Sequence, residues 1–425
     1  MKKDIFKHNL INFIENSTCS FTCIKEIQKK LEENGYQELF EEDLWKLSGN
    51  KFYIIRNNAS IIALEIPDKK AKSFSIITTH SDTPSLYLKP NGANIKENYL
   101  RYNIMPYGGL LNFGWIDHPL SLAGRIIVNK NEQLYTKIID FKEPLLIVPS
   151  VAIHQKANEN INLDLNVQTD LQPIISLAKN PDSFKNILNS KIKDEIVSYD
   201  LFAYNITKPI FIGKNKELFI SPRIDNLTSV YVALESFLKS ECENIKVFCS
   251  FNNEEIGSLT IEGADSNFLI DILKRISSHL EIDITSALAN SFIISSDNTH
   301  AIHPNHTELA DETGMAYLGE GFTIIKEEAS TTNAISSAII KYICDKNNIK
   351  YQESTAKNDI TGGSTLSGIC LRHVSVLSID VGIPELSMHS SVESCAFNDI
   401  YELYKMMNAF YKAKITKIKG NIKIN

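Results

Sequence analysis

No apolar run in this chain approaches the roughly 20 residues needed to span a bilayer. The basic start, Met1-Lys-Lys-Asp-Ile-Phe, is not followed by the apolar core of a signal peptide. Positive charge is not in excess. The net charge of -7 makes nucleic acid or an anionic membrane a poor partner. Cysteine is sparse, with seven scattered residues. Only Cys19 and Cys23 are close, and their spacing suits one helix face better than a metal knuckle. Such usage fits a reducing cytoplasm. The chain also lacks H-E-x-x-H, a Walker loop and G-x-S-x-G, which excludes several common hydrolase and nucleotide-binding designs. No internal repeat or low-complexity tract is present.

What remains is an ordinary globular composition, 43% apolar and 22% charged. A chain of 425 residues exceeds the usual single-core limit of about 250–300, so two domains are expected. Phe6, Leu10, Phe13 and Ile14 have helical spacing, as do Ile24, Ile27 and Leu31, with Gly35 as a C-cap. Strands are expected at Phe52 to Arg56, Ile61 to Ile66 and Phe74 to Thr79. From Tyr87 to about Ser198 the regular helix–strand alternation is lost. Short β-type runs such as Arg125 to Val128 and Leu145 to Val148 are punctuated by Pro106, Gly108, Gly109 and Pro119, with one helical stretch near Phe184 to Leu188. This reads as an inserted β-rich domain. Tyr199 to Tyr204 and Leu218 to Ile220 are strands leading out of it. Leu227, Val230, Leu234 and Phe237 then share a helix face. A strand from Lys246 to Phe251, a helix around Ile335 to Ile343 and a strand from Val374 to Asp380 complete the core. The lysine-rich segment after Tyr411 reads as a short solvated end.

The polar residues that follow these elements carry the chemistry. Adjacent carboxylates Glu254 and Glu255 come just past an apolar strand, where open α/β sheets put their sites. His80 and Asp82 follow another apolar run, Asp297 follows Phe292 to Ser295, and His389 follows Val374 to Val381. Asp225 lies at a helix start. Imidazole with carboxylate suits zinc, manganese or cobalt. A two-metal site needs a bridging carboxylate and about two further ligands per ion. His80, Asp225, Glu255, Asp297 and His389 meet that count and leave Glu254 free as a general base. Asp82 can orient the histidine or the base. The Gly362-Gly-Ser-Thr365 turn has no lysine behind it and reads as a structural turn or a backbone donor site. His300, His303 and His306 lie in a proline-containing loop, which argues against a further metal centre.

With these residues in hand, the chain resembles the aspartyl aminopeptidase-type metallopeptidases over nearly its whole length. The resemblance rests on Thr79-His-Ser-Asp-Thr-Pro84, Leu120-Ser-Leu-Ala-Gly-Arg125, Pro149-Ser-Val-Ala-Ile-His154, Ser221-Pro-Arg-Ile-Asp-Asn226, Phe251-Asn-Asn-Glu-Glu-Ile-Gly-Ser258, His300-Ala-Ile-His-Pro304, Gly363-Ser-Thr365 and Met388-His-Ser390. It implies an α/β fold in which a mixed-sheet metallopeptidase catalytic domain (1–88 and 220–425) carries an inserted β-rich dimerisation domain (89–219). It implies removal of the N-terminal residue from peptides with a free N-terminus by two divalent metal ions per chain, zinc with cobalt or manganese as alternatives. It also implies a homo-oligomer, a dimer-based tetrahedral dodecamer. By the same resemblance His80 and Asp297 would hold one ion, Glu255 and His389 the other, and Asp225 both. Glu254 would be the base. His154 would reach a neighbouring subunit's site and stabilise the oxyanion, and Lys326 would face acidic substrate side chains. Trp115-Ile-Asp-His-Pro119 and Asn252 depart from the family pattern without touching a metal ligand. Readings from other classes are a non-catalytic self-assembling binding shell and a related metal-dependent amide hydrolase.

Overall fold

The structure is a computed structural model that describes residues 1–67, 71–155, 164–360, 363 and 365–425. Its centre is four parallel strands, side by side in the order Ile245–Phe251, Phe74–His80, Phe292–His300 and Leu377–Leu386. They form the middle of a mixed twelve-stranded sheet. Antiparallel neighbours extend it, among them Ser60–Glu65 on one side and Glu393–Ala396 on the other.

The strands are buried along almost their whole length because both faces are covered. Successive residues point to opposite layers. Phe248, Ile77 and Ile294 face one core with helices Lys3–Asn16, Ser20–Glu33, Ile224–Lys239, Ala334–Lys346 and Phe397–Lys412. Val247, Cys249, Ile76 and Ile293 face the other core with Phe268–His279 and two shorter helices. The N-terminal helices form as the apolar spacing predicts, and Gly35 follows the second with φ of 81°. Helix Ile224–Lys239 differs from its one-faced reading: it is buried on all sides from Ile224 to Phe237, because helices pack over it as well as the sheet under it.

A second, six-stranded antiparallel sheet runs between Ser85 and Asn205. Leu86, Leu88, Leu122, Ile126 and Leu201 pack there against Phe184 and Leu188 of helix Ser183–Lys191. Its strands are longer than the sequence runs imply. Ser85–Lys96 passes through Pro90, Asn91 and Gly92 because the pairing shifts register between Leu88 and Ala93. Leu145 to Val148 makes only isolated bridges. Strand Leu218–Ser221, which straddles the end of the 89–219 interval, joins the large sheet by pairing with Glu393–Ala396, and Ile210–Ile212, inside that interval, pairs with Leu218–Ser221.

The two sheets meet at an apolar seam of Phe21, Ala59, Tyr107, Ala123, Phe202 and Tyr204. Arg125, paired with Asp200 of its own sheet at 2.6 Å, also crosses it to the Asn57 carbonyl and to Glu262 at 3.4 Å. A partly exposed ion pair of this kind contributes up to about 1 kcal/mol. Burying one large apolar side chain contributes about 1.5–3 kcal/mol, so the seam rests mainly on the apolar cluster. After Tyr411 the chain does not remain a solvated end. It forms the hairpin Ile415–Ile418 and Asn421–Ile424, because Ile415, Ile422 and Ile424 pack on the core between the lysines.

Candidate metal centre

The four parallel strands end at one rim, and the candidate residues gather there. His80 is the last residue of its strand. Glu254 and Glu255 form a short 3-10 turn after Phe251, entered through Asn253 at φ of 61°. Asp297 lies within the strand Phe292–His300, which runs on through Asn298, whose amide bonds Thr228 and Glu385, and Thr299, which lines the adjoining cavity. His389 sits in a turn with φ of 65°. Asp225 opens its helix with non-helical backbone angles, and the Asp225–Asn226 peptide is cis.

The two oxygens of Asp225 face opposite ways. Oδ1 is 3.5 Å from Nε2 of His80, which is also 3.1 Å from Asp297 Oδ1. Oδ2 is 3.4 Å from Nε2 of His389, which is also 3.5 Å from Glu255 Oε2. Atoms bound at about 2.0–2.1 Å to a tetrahedral ion stand roughly 3.3 Å from one another. The four contacts bracket that spacing, in two groups that share one carboxylate.

Both imidazoles present Nε2 because Nδ1 is engaged elsewhere. His80 Nδ1 is 3.0 Å from the Asp82 carbonyl oxygen. His389 Nδ1 faces the backbone carbonyl of Gly109, and the His389 carbonyl accepts the N–H of Leu111 at 3.1 Å. Asp82 does more than follow His80. Its carboxylate accepts the N–H of Glu254 on one oxygen and of Glu255 on the other, each at 3.2 Å. It thereby ties the ends of two adjacent strands.

The charge in this space requires cations. Burial pushes Glu254 up to about 8, with Asp297, Asp82 and Asp225 adding to the rise against His80. Burial and Asp225 push Glu255 well up, and burial raises Asp297. Burial opposes charge on His80, but Asp297 and Asp225 raise it well above the usual imidazole range. Burial also acts against ionised Asp225, yet His389 and His80 hold it well below the usual carboxylate range. Asp225 Oδ1 and Glu255 Oε1 are buried without a hydrogen-bond partner. Unpaired carboxylate oxygens converging with imidazole nitrogens form a donor set suited to divalent ions.

Beside the centre lies a cavity of about 360 Å³ lined by His300, Ile302, Leu309, Met315, Lys357 and Met388, among others. Its lining residues Thr299 and His300 follow Asp297, and Met388 precedes His389. A larger groove of about 610 Å³, between helix Ser20–Glu33 and strand Gln133–Asp140, contains none of the site residues.

Two candidates stand apart. His154 is exposed in a turn and makes no polar contact with the centre among the described residues. Lys326 is exposed at the end of strand Phe322–Ile325, its N–H bound to the Ser354 carbonyl at 2.9 Å. Glu327, beside it, lines the cavity. The His303 and His306 rings lie with centroids 5.1 Å apart, tilted at 42°, and His306 pairs with exposed Glu308. They form no three-residue ligand set among the described residues. Gly362 and Ser364 of the glycine-rich turn lie outside the described residues. All seven cysteines are unpaired.

Sequence reasoning missed Glu393, Tyr107 and the Gly108–Gly109 pair. Glu393 is buried, and its carboxylate accepts the backbone N–H groups of two candidate ligands, Asp225 and His389. A side chain on Gly108 would meet Glu255 at 3.1 Å, and one on Gly109 would meet His389 at 3.4 Å. The only one-dimensional signal was position: Glu393 is four residues past His389, and the glycines stand together.

Comparison with known proteins gives the family and the fold. The family model described as aminopeptidase I zinc metalloprotease (M18) matches residues 13–411. The chain is 36% identical over 432 residues to a probable M18 family aminopeptidase 2 of Clostridium acetobutylicum, covering 97% of this chain and 100% of the relative. Among solved structures, Chaetomium thermophilum mApe1 superposes with a TM-score of 0.86 at 26% identity, over 97% of this chain and 98% of that one. The S. cerevisiae mApe1 dodecamer gives 0.83 at 24%, over 96% of each.

Proposed function

The chain belongs to the M18 family of zinc aminopeptidases, and from that premise we propose how its own residues divide the work. It is a metal-dependent hydrolase acting on peptides. We assign His80 and Asp297 to one ion, Glu255 and His389 to the other, and Asp225 to both. The observation that carries this division is the opposed facing of the two Asp225 oxygens. When bound, two divalent ions supply Lewis-acid polarisation and a nucleophilic water at neutral pH. Glu254 is left to take a proton from the attacking water and return it to the departing amine. Burial, with Asp297, Asp82 and Asp225, raises its affinity for the proton it takes. Asp82 holds the base and its neighbour by their backbone groups. The adjoining cavity has the volume to take one amino-acid side chain.

The finer reading extends this scheme. The second sheet is the oligomerisation unit, in a dimer-based tetrahedral dodecamer. A neighbouring subunit's turn brings an oxyanion donor, the partner's His154, to the site. The exposure of this turn and the printed description of the S. cerevisiae relative as a dodecamer support that scheme. Lys326 would favour acidic first residues. Seven unpaired thiols suit a reducing cytoplasm, and no helix among the described residues is long and apolar enough to cross a membrane.

The test is Glu254→Gln with an aminoacyl panel of Asp, Glu, Leu and Ala substrates. The expected result is a kcat loss of about 10²–10⁴ with metals retained. Near-normal kcat would remove Glu254 from the mechanism. On the same panel Lys326→Ala should raise KM for Asp and Glu substrates selectively. An equal effect on all four would leave Lys326 without a specificity role.

A further inference from the structure

Strand Tyr99–Tyr107 belongs to the second sheet, yet its last residue reaches the centre of the first. The Tyr107 phenol donates to Asp82 Oδ2 at 2.9 Å. It accepts from Asn253 Nδ2 at 2.8 Å. Asn253 Oδ1 in turn accepts from Thr260 Oγ1 at 2.8 Å, which takes the Gly263 N–H at 3.0 Å. The chain of bonds is buried where it matters: Tyr107, Asp82 and Asn253 all lie away from solvent. The Tyr107 ring packs edge-on against Phe202 of the seam, with centroids 5.2 Å apart.

Asp82 is the common point of this chain and the candidate site. Its carboxylate takes the N–H groups of Glu254 and Glu255, and Oδ1 lies 3.5 Å from His80 Nδ1. A carboxylate with these partners can turn about its last torsion. The phenol supplies a further donor on Oδ2 and fixes that turn. Without it Asp82 would swing towards another donor and release the turn that carries Glu254. The residues after Tyr107 continue the contact, since Gly108 abuts Glu255 and the Leu111 N–H binds His389.

We propose that Tyr107 is a positioning residue for the peptidase reaction, through which the second sheet sets the placement of Glu254 by way of Asp82. The proposal rests on Glu254 being the base. It makes the second sheet a part of the catalytic apparatus within one chain, separate from any role in assembly.

The experiment compares full-length, metal-loaded wild type, Tyr107→Phe, Asn253→Gly and Glu254→Gln on one aminoacyl substrate. It reads kcat, KM, Tm and bound metal. Tyr107→Phe keeps the ring in the seam and removes only the donor. Its kcat should fall roughly tenfold or more, as for loss of a hydrogen bond to a charged group. KM should stay within about twofold and both ions should remain, a split that a purely structural role would not give. Asn253→Gly removes the donor to the phenol while tolerating the positive φ, and should lose kcat in the same sense by a smaller factor. It also decides the matter should Tyr107→Phe fail to fold. Unchanged kcat in the folded variants would overturn the proposal, as would a loss explained entirely by missing metal. If Glu254→Gln is inactive and Tyr107→Phe is normal, only the positioning role fails. If Glu254→Gln is itself near normal, the base assignment fails.

Discussion

The carboxylate of Glu393 accepts the backbone N–H of Asp225 at 3.1 Å, and its second oxygen accepts that of His389 at 2.8 Å. One side chain thus fixes the residue assigned to both ions and a ligand of the second. Glu393→Gln leaves a single oxygen and turns an NH₂ group towards one of these N–H donors. Outer-shell losses of this type weaken metal binding by about 10–100-fold. Chelator competition on the purified variant should find that weakening at the ion shared by Glu255 and His389. Wild-type affinity would leave Glu393 without this role.

The assigned ligands should separate by ion. Glu255→Ala and His389→Ala should each weaken one ion, and His80→Ala and Asp297→Ala the other. Asp225→Ala should weaken both. Elemental analysis after limited chelation reads this directly. Two tightly held ions per chain in Asp225→Ala would refute the shared carboxylate.

The ion-free protein should lose stability as pH rises across neutrality. Burial, with neighbouring carboxylates, pushes Glu254 and Glu393 up to about 8. Groups raised in the folded state stabilise fully below their unfolded values and lose that contribution as pH climbs through the folded value. His80 and His389, also raised, act in the same direction. Asp225, held low, has the opposite sign, and its contribution is lost only on strong acidification. Calorimetry of the ion-free chain should therefore give a lower Tm at about pH 8.5 than at about pH 6, with the loss reversed by zinc. A Tm that rises over that interval without metal would contradict the charge arrangement.

Assembly should complete the site. His154→Ala should lose about 10²–10³ in kcat, as for one oxyanion donor, with metal content unchanged. Mixing it with excess Glu254→Gln under subunit exchange should recover part of the activity. A fully active monomer, or no recovery after verified exchange, would count against a shared site.

The rim of the large sheet was legible in the sequence because apolar runs give way there to polar residues. His80 and the Glu254–Glu255 pair could be picked out on that pattern alone. Asp297 was found for the same reason, although its strand continues past it on residues that lack apolar character. Glu393 and Tyr107 were not legible, because each acts on a partner distant along the chain. Nothing local marks a tyrosine whose partner is 25 residues away on another strand. The second sheet was read as β-rich, but Pro90 and Gly92 hid the length of strand Ser85–Lys96. The terminal hairpin was concealed by lysines alternating with the isoleucines that anchor it.

The parallel order of the four central strands has a consequence for biosynthesis. Their rim is furnished by residues from His80 to His389, and strand Leu377–Leu386 adds next to Phe292–His300 only near the end of translation. Helix Phe397–Lys412, which packs on helix Ile224–Lys239, emerges later still. A ribosome-bound chain halted after Asp297 holds His80, Asp225 and Glu255 but has no His389, and its long-range strand pairing is incomplete. Such a nascent chain lacks one of the assigned ligands, so peptidase activity is expected only once the last segments dock.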